Sequence, residues 1–69
     1  MPFETGDRVV MTAPEHDHGD PPDGTIGTVA DALIGDHLIC VRWDDWTNPG
    51  GTIHWVVRDE QVTRVVSPP

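Results

Sequence analysis

The sequence contains no lysine, no tyrosine and a single cysteine. One cysteine, Cys40, cannot form an intramolecular disulfide, which excludes the class of small secreted domains that disulfides hold together. Its position in an apolar segment predicts a small buried hydrophobic side chain. No apolar run approaches the ~20 residues that cross a bilayer, and the first residues lack a signal-peptide pattern. We therefore expect a soluble cytoplasmic protein with no membrane partner.

Positive charge is also scarce. Four arginines oppose nine aspartates and three glutamates, so the formal net charge is −8 at pH 7. Nucleic-acid-binding proteins normally carry a basic patch that displaces counterions, and four scattered arginines do not provide one. The composition disfavours direct binding to nucleic acid and favours a basic partner, whether a protein, a peptide or a cation.

The chain is short, with 69 residues. A domain of this size buries only ~60% of the surface that its unfolded chain exposes, and it lies near the lower limit for independent folding. Deep substrate pockets usually form between layers or domains, which this chain has no room to build. We expect one domain with a shallow surface.

The most strand-like stretch is His-Leu-Ile-Cys-Val-Arg-Trp at 37–43, which lies mid-chain between Gly35-Asp36 and Asn48-Pro49-Gly50-Gly51. Alternation places His37, Ile39, Val41 and Trp43 on one face and Leu38, Cys40 and Arg42 on the other. Because both faces carry apolar residues, this pattern predicts a central strand that is covered on both sides.

Four further segments alternate or lie between turn signals in the same way. We expect Leu33 to Asp36 to form a turn and Arg58 to Gln61 a single 3₁₀ turn. Two glycines, Gly24 and Gly27, fall in the second segment, which requires a sharp bend or a close approach by another strand. The five predicted strands span about 7–13, 24–32, 37–43, 52–57 and 62–66. Five short strands with regular turns predict an all-β barrel in one domain, 1–69.

Several short motifs carry a resemblance to a known architecture: Gly6-Asp7-Arg8-Val9, Gly24 to Val29, Val41-Arg42-Trp43-Asp44, and the polar turn 58–61 before Val62. In their order and spacing they resemble an SH3-like barrel, and most closely the short barrel proteins of GC-rich bacteria and their phages. KOW-type and Tudor-like barrels are more distantly similar. The resemblance implies a five-stranded SH3-like barrel with one 3₁₀ turn before the last strand and a bacterial or phage origin. The basic loops of the nucleic-acid-binding members are missing here.

Two loops carry the candidate binding residues. Simple up-and-down connectivity places the loop 14–23 and the loop 44–51 at the same end of the barrel. Trp46 lies in the second loop, where no strand parity requires burial; it either anchors a basic or proline-rich partner or folds back over the barrel end. The acidic side chains expected to converge around it are Glu15, Asp17, Asp20, Asp23, Asp44 and Asp45. Alternatively, these acidic side chains form an ordinary solvated rim of the barrel. Trp43 and Trp55 lie on apolar faces of adjacent strands and are expected to belong to the core.

Catalytic and metal-binding patterns are weaker. Asp44 and Asp45 are adjacent in a loop and would diverge, whereas paired catalytic acids must face each other. Cys40, expected to be buried, has no electropositive setting that would lower its pKa. His16 and His18, with Asp17 between them, could ligate Zn²⁺, Ni²⁺ or Cu²⁺, but one short loop supplies a four-ligand site poorly. We expect no enzyme, no cofactor and no resident metal.

Three functions remain open from the sequence. The first is an acidic protein-interaction module that docks a basic or proline-rich partner through the Trp46 end. The second is a DNA-mimicking inhibitor in which carboxylates stand in for phosphates. The third is a metal-responsive domain that uses His16 and His18. Homo-oligomerisation through strand edges is compatible with each of them.

Overall fold

A computed structural model describes residues 3–15, 19–35 and 37–65, with only the backbone described for 33–35. It confirms the predicted all-β, SH3-like barrel. Five antiparallel strands form one curved sheet in the order β4-β3-β2-β1-β5, and a single 3₁₀ turn precedes the last strand. The elements are β1 Arg8–Met11, β2 Ile26–Gly35, β3 Leu38–Trp43, β4 His54–Arg58, the 3₁₀ turn Asp59–Gln61 and β5 Val62–Arg64.

The core follows the predicted strand parity. Ile39 and Val41 of β3 point inward with Trp43, and they meet Val9 and Met11 of β1. On β4 the alternation is the predicted one, since Val57 is buried and Trp55 half-buried while His54 and Val56 are exposed. The buried hydrophobic side chains are Val9, Met11, Val29, Ile39, Val41, Trp43, Val57 and Val62. Their alternate spacing in each strand is what makes one face of the sheet a continuous apolar layer.

Strand β2 is longer than the sequence predicted. The expected turn at Leu33 to Asp36 is wrong at its start, because β2 continues through Gly35, which pairs with Leu38. The register shifts between Val29 and Asp31 and again between Asp31 and Gly35. Such irregularities bend a strand without ending it, so a Gly-Asp pair at its tip does not require the strand to stop earlier. Asp36 and Val66, which the predictions also included, lie outside the described residues.

Gly27 provides the close approach that a glycine inside β2 predicts. A Cβ atom at this position would lie 2.6 Å from Val41 Cγ1 and 2.7 Å from the carbonyl oxygen of Arg42. Gly24, by contrast, precedes the strand and has a φ of 93°, a backbone conformation that glycine adopts at little cost. The two glycines are therefore required for different reasons: Gly27 leaves space for β3, and Gly24 adopts a left-handed backbone conformation.

The central strand is covered on one face only. Leu38 is 37% exposed, Arg42 is exposed, and Cys40 is half-buried. The expectation of cover on both sides is therefore wrong, and Cys40 is half-buried where a buried side chain was expected. With no helix packed against the outer face in the described part of the chain, these apolar side chains face solvent.

Strand β4 lies at one edge of the sheet, and several of its outward backbone groups are bonded within the chain. The N–H of Trp43 donates to Ile53 and the N–H of Asp59 donates to His37, so alternation directs the backbone of His54, Val56 and Arg58 away from β3. The N–H of His54 donates to Thr52 Oγ1, and its carbonyl accepts from the Asn48 and Thr52 side chains. The N–H of Arg58 donates to Gln61 Oε1. Val56 lies between these two bonded residues.

Within the described residues no helix has the length and apolar character needed to cross a membrane.

Candidate functional site

The two candidate loops meet at one end of the barrel. The backbone N–H of Asp44, which opens the second loop, donates to the carbonyl of Ile26 at the start of β2, with N and O 2.9 Å apart. Buried Asn48 fixes the same loop, because its Oδ1 accepts from the N–H of Gly50 and its Nδ2 donates to the carbonyl of His54. These hydrogen bonds connect the start of β2, the end of β3 and the start of β4 beneath the two loops.

A cleft of about 370 Å³ lies between the two loops. Ile26 supplies an apolar surface and is 38% exposed. Three of the acidic side chains predicted for this end line the cleft, whereas Trp46, around which they were expected to converge, is not among its lining residues. The lining residues are Asp23, Gly24, Thr25, Ile26, Asp44 and Asp45.

The three carboxylates of the cleft differ in their partners. Asp44 accepts two hydrogen bonds from the Arg8 guanidinium, at 2.6 and 3.1 Å. This contact lowers the pKa of Asp44, with a smaller contribution from Arg42, and it raises the pKa of Arg8. Asp23 and Asp45 are exposed and make no ion pair with any residue that the structure describes. The uncompensated negative charge of the cleft is therefore on Asp23 and Asp45.

Asp20 holds the first loop against the barrel. Its carboxylate accepts from Trp55 Nε1 at 2.9 Å, from Gln61 Nε2 at 2.7 Å and from the backbone N–H of Glu15 at 2.9 Å. Gln61, which is buried, also donates to the carbonyl of Ala13. Because all three donors belong to its own chain, the Asp20 carboxylate links the loop 14–23 to β4 and to the 3₁₀ turn.

Glu15 is also engaged within the chain, since it pairs with Arg58. The structure therefore separates the predicted acidic set. Asp23, Asp44 and Asp45 line the cleft, whereas Glu15 and Asp20 fasten the loop. Asp17 lies outside the described residues.

Trp46 is half-buried and packs against the core. Its ring lies edge-on to Trp43, with centroids 6.5 Å apart, and edge-on to Trp55, with centroids 6.2 Å apart. Of the two alternatives for this residue, the geometry corresponds to an indole folded back over the barrel end. Edge-to-face contacts of this kind add to the stability that burial provides. Trp43 Nε1 has no hydrogen-bond partner among the described atoms.

The described residues contain no group of three or more His, Cys, Asp or Glu side chains placed to hold a metal ion. His16 and His18, the metal candidates of the sequence, lie outside the described residues. Desolvation raises the pKa of the Cys40 thiol, and the charge of Asp31 acts in the same direction. Both effects reduce the thiolate fraction, which is the nucleophilic form.

Two residues of the site could not have been identified from the sequence alone. The position of Ile26 beside Asp45 depends on how the loop after β3 folds. The pairing of Arg8 with Asp44 spans 36 positions of the chain. The acidic character of the region was visible in the composition, whereas the neutralisation of Asp44 was not.

Comparison of the chain with protein-family models, with curated proteins and with solved structures found no match.

Proposed function

We propose that this protein is a small, non-catalytic interaction module whose acidic end docks a basic segment of a partner protein. The observation that carries the proposal is the cleft in which Asp23 and Asp45, whose carboxylates form no ion pair with a described residue, flank the exposed side chain of Ile26. A lysine or arginine of the partner has a matching form, because its aliphatic stem packs on apolar surface while its charged head stays near carboxylates and water.

The rest of the acidic end supports the cleft. Asp44, held by Arg8, fixes the start of the second loop, and Trp46 seals that loop onto the aromatic core. The net charge of −8 strengthens attraction of a basic partner at long range and speeds encounter. In this proposal Trp46 supports the docking surface and the carboxylates of the cleft make the contact.

The test uses a defined basic probe, the peptide acetyl-(Gly-Lys)₃-amide, titrated into the ¹⁵N-labelled protein. Binding in the cleft should shift the amide signals of Gly24, Thr25 and Asp45 in a saturable way. Asp45→Asn should weaken binding by a factor of roughly 1.4 to 5, which is the range of an exposed ion pair worth ~0.2–1 kcal/mol. Pull-downs with the wild-type protein and the Asp45→Asn variant would then identify the natural partner.

Glu4→Gln is the matched control, because it removes one negative charge from an exposed position outside the cleft. Both variants carry the same net charge. Equal weakening by Asp45→Asn and Glu4→Gln would contradict docking in the cleft and would indicate that the overall charge attracts the peptide. Strong dependence on salt in that case would favour the DNA-mimic function of the same chain.

A further inference from the structure

The apolar surface of the acidic cleft continues beyond it, across β1. Ile26 of β2 lies opposite Val10 of β1, and Val10 lies opposite Thr63 of β5. Each of the three has a buried neighbour in its strand, so alternation directs their side chains to the outer face of the sheet. The N–H of Met11 donates to the carbonyl of Thr25. The pair of Ile26 and Val10 is therefore of the non-hydrogen-bonded kind, in which opposite side chains lie closest.

We call these three residues, Ile26, Val10 and Thr63, the outer strip. Ile26 is 38% exposed, Val10 is half-buried and Thr63 is exposed. Among the described residues no helix packs on this face. The outer strip is therefore an accessible row of two apolar side chains and a threonine that begins inside the cleft and leads away from its carboxylates.

Two arginines of the outer face lie near the outer strip. The guanidinium of Arg8 is bonded to both carboxylate oxygens of Asp44 and also to Thr28 Oγ1. Arg42 is opposite Thr28 on β3, so a bound segment that runs from Ile26 towards β5 moves away from Arg42. The positive charge next to the outer strip is thus compensated within the chain, and the positive charge of Arg42 lies on the other side of the cleft.

We propose that the outer strip binds an apolar side chain of the same basic segment that docks in the cleft, two positions along the segment from the lysine or arginine held there. This inference rests on the proposed function and defines the partner as an extended segment of the pattern basic, any residue, apolar. Alternate side chains of an extended chain lie on one side, about 6.6 Å apart, and neighbouring strands are about 4.8 Å apart. A basic residue beside Ile26 therefore places its second neighbour over Val10, on the side of Thr63.

Charge fixes both the occupant and its direction. The carboxylates of Asp23 and Asp45 lie at one end of the outer strip only, so the basic residue belongs at that end and the apolar residue towards β5. A basic segment is attracted by the net charge of −8, whereas a second copy of this chain carries the same charge and is repelled.

The test compares two peptides of equal charge, acetyl-Gly-Lys-Gly-Lys-Gly-Leu-amide and acetyl-Gly-Lys-Gly-Lys-Gly-Ser-amide, titrated into the ¹⁵N-labelled full chain. Both should shift the amide signals of Gly24 and Asp45, and only the leucine peptide should also shift those of Val10 and Thr63. The leucine peptide should bind about fivefold more tightly. This factor corresponds to ~1 kcal/mol, or roughly 40 Å² of buried apolar surface at ~25 cal/mol per Å².

Val10→Thr keeps the shape of the side chain and adds a hydroxyl that leucine would have to desolvate. This variant should reduce the preference for the leucine peptide to less than about twofold and leave the affinity for the serine peptide unchanged, which also shows that the fold is intact. Val56→Thr is the matched control, because Val56 is an exposed valine on β4, outside the outer strip. It should keep the full preference.

The possible failures are distinguishable. Absence of saturable shifts at Gly24 and Asp45 with both peptides would overturn the proposed function and this inference together. Saturable shifts there with equal affinity for the two peptides would overturn this inference alone, as would equal effects of Val10→Thr and Val56→Thr. Sedimentation showing a dimer that Val10→Thr dissociates would make a second copy the occupant and would also overturn it.

Discussion

Gly27→Ala should destabilise the barrel because β2 and β3 approach too closely for a side chain at this position. The added Cβ would lie 2.6 Å from Val41 Cγ1, 2.7 Å from the Arg42 carbonyl oxygen and 3.0 Å from Trp43 Cε3. Val41 and Trp43 are fully buried, so neither can turn into solvent, and the third neighbour is backbone.

The magnitude follows from two opposing effects. Overpacking of a core costs ~1–3 kcal/mol, and contact with backbone on a paired strand places this site at the upper end. Replacement of glycine by alanine restricts the unfolded chain and returns ~0.4–1 kcal/mol. We expect a net loss of about 2 kcal/mol in the free energy of unfolding. For a domain of this size that lowers Tm by roughly 8–16 °C.

The assay is urea unfolding followed by tryptophan fluorescence, applied to a double-mutant cycle with Val41→Ala. Removing the Val41 methyl groups costs stability on its own through a cavity, but in the Gly27→Ala background it also relieves the clash. The double variant should therefore lose less than the sum of the single losses. Additive losses, or a Gly27→Ala variant as stable as the wild type, would refute this account of the approach between the strands.

Three further predictions concern other parts of the molecule. Gln61→Ala should lower the free energy of unfolding, measured in urea, by about 3 kcal/mol. The substitution removes two donated hydrogen bonds and one accepted hydrogen bond, each worth ~1 kcal/mol. A loss below ~1 kcal/mol would contradict this role of Gln61. The folded pKa of Asp44 is lowered, so its contribution to stability is present above the unfolded pKa of ~3.9 and disappears as pH falls through the folded value; Arg8→Gln should therefore flatten the acid limb of a plot of Tm against pH, and an unchanged slope would count against it. Because the pKa of Cys40 is raised, alkylation by iodoacetamide at pH 8 should be slower in the folded protein than in urea, and equal rates would disprove the environment assigned to the thiol.

The strand pattern was predictable because burial in a sheet repeats every two residues. Val9 and Met11 alternate with half-buried neighbours in β1, and Ile39, Val41 and Trp43 alternate with exposed or half-buried neighbours in β3. The exposure of the outer face of β3 could not be predicted from this alternation. Leu38 and Cys40 are apolar, and apolar composition alone does not reveal whether another element lies above them.

The candidate site was predictable in outline and not in its contacts. Connectivity alone brings the loops around Asp23 and Asp45 to one end. The different roles of the acids depend on pairings that span long stretches of chain, such as Asp20 with Trp55, 35 positions apart, and Asp20 with Gln61, 41 positions apart. No local periodicity records such pairings, so a carboxylate that fastens a loop and a carboxylate that faces solvent look alike in the sequence.

The occupied edge of β4 has a consequence for self-assembly. A fibril grows when each added strand finds a run of consecutive free backbone groups on the strand before it. Here the N–H groups of His54 and Arg58 are already bonded within the chain, and Val56 lies alone between them. A single position between two occupied residues cannot template a stack. The bonds that β4 makes within its own chain thus work against amyloid growth through this edge.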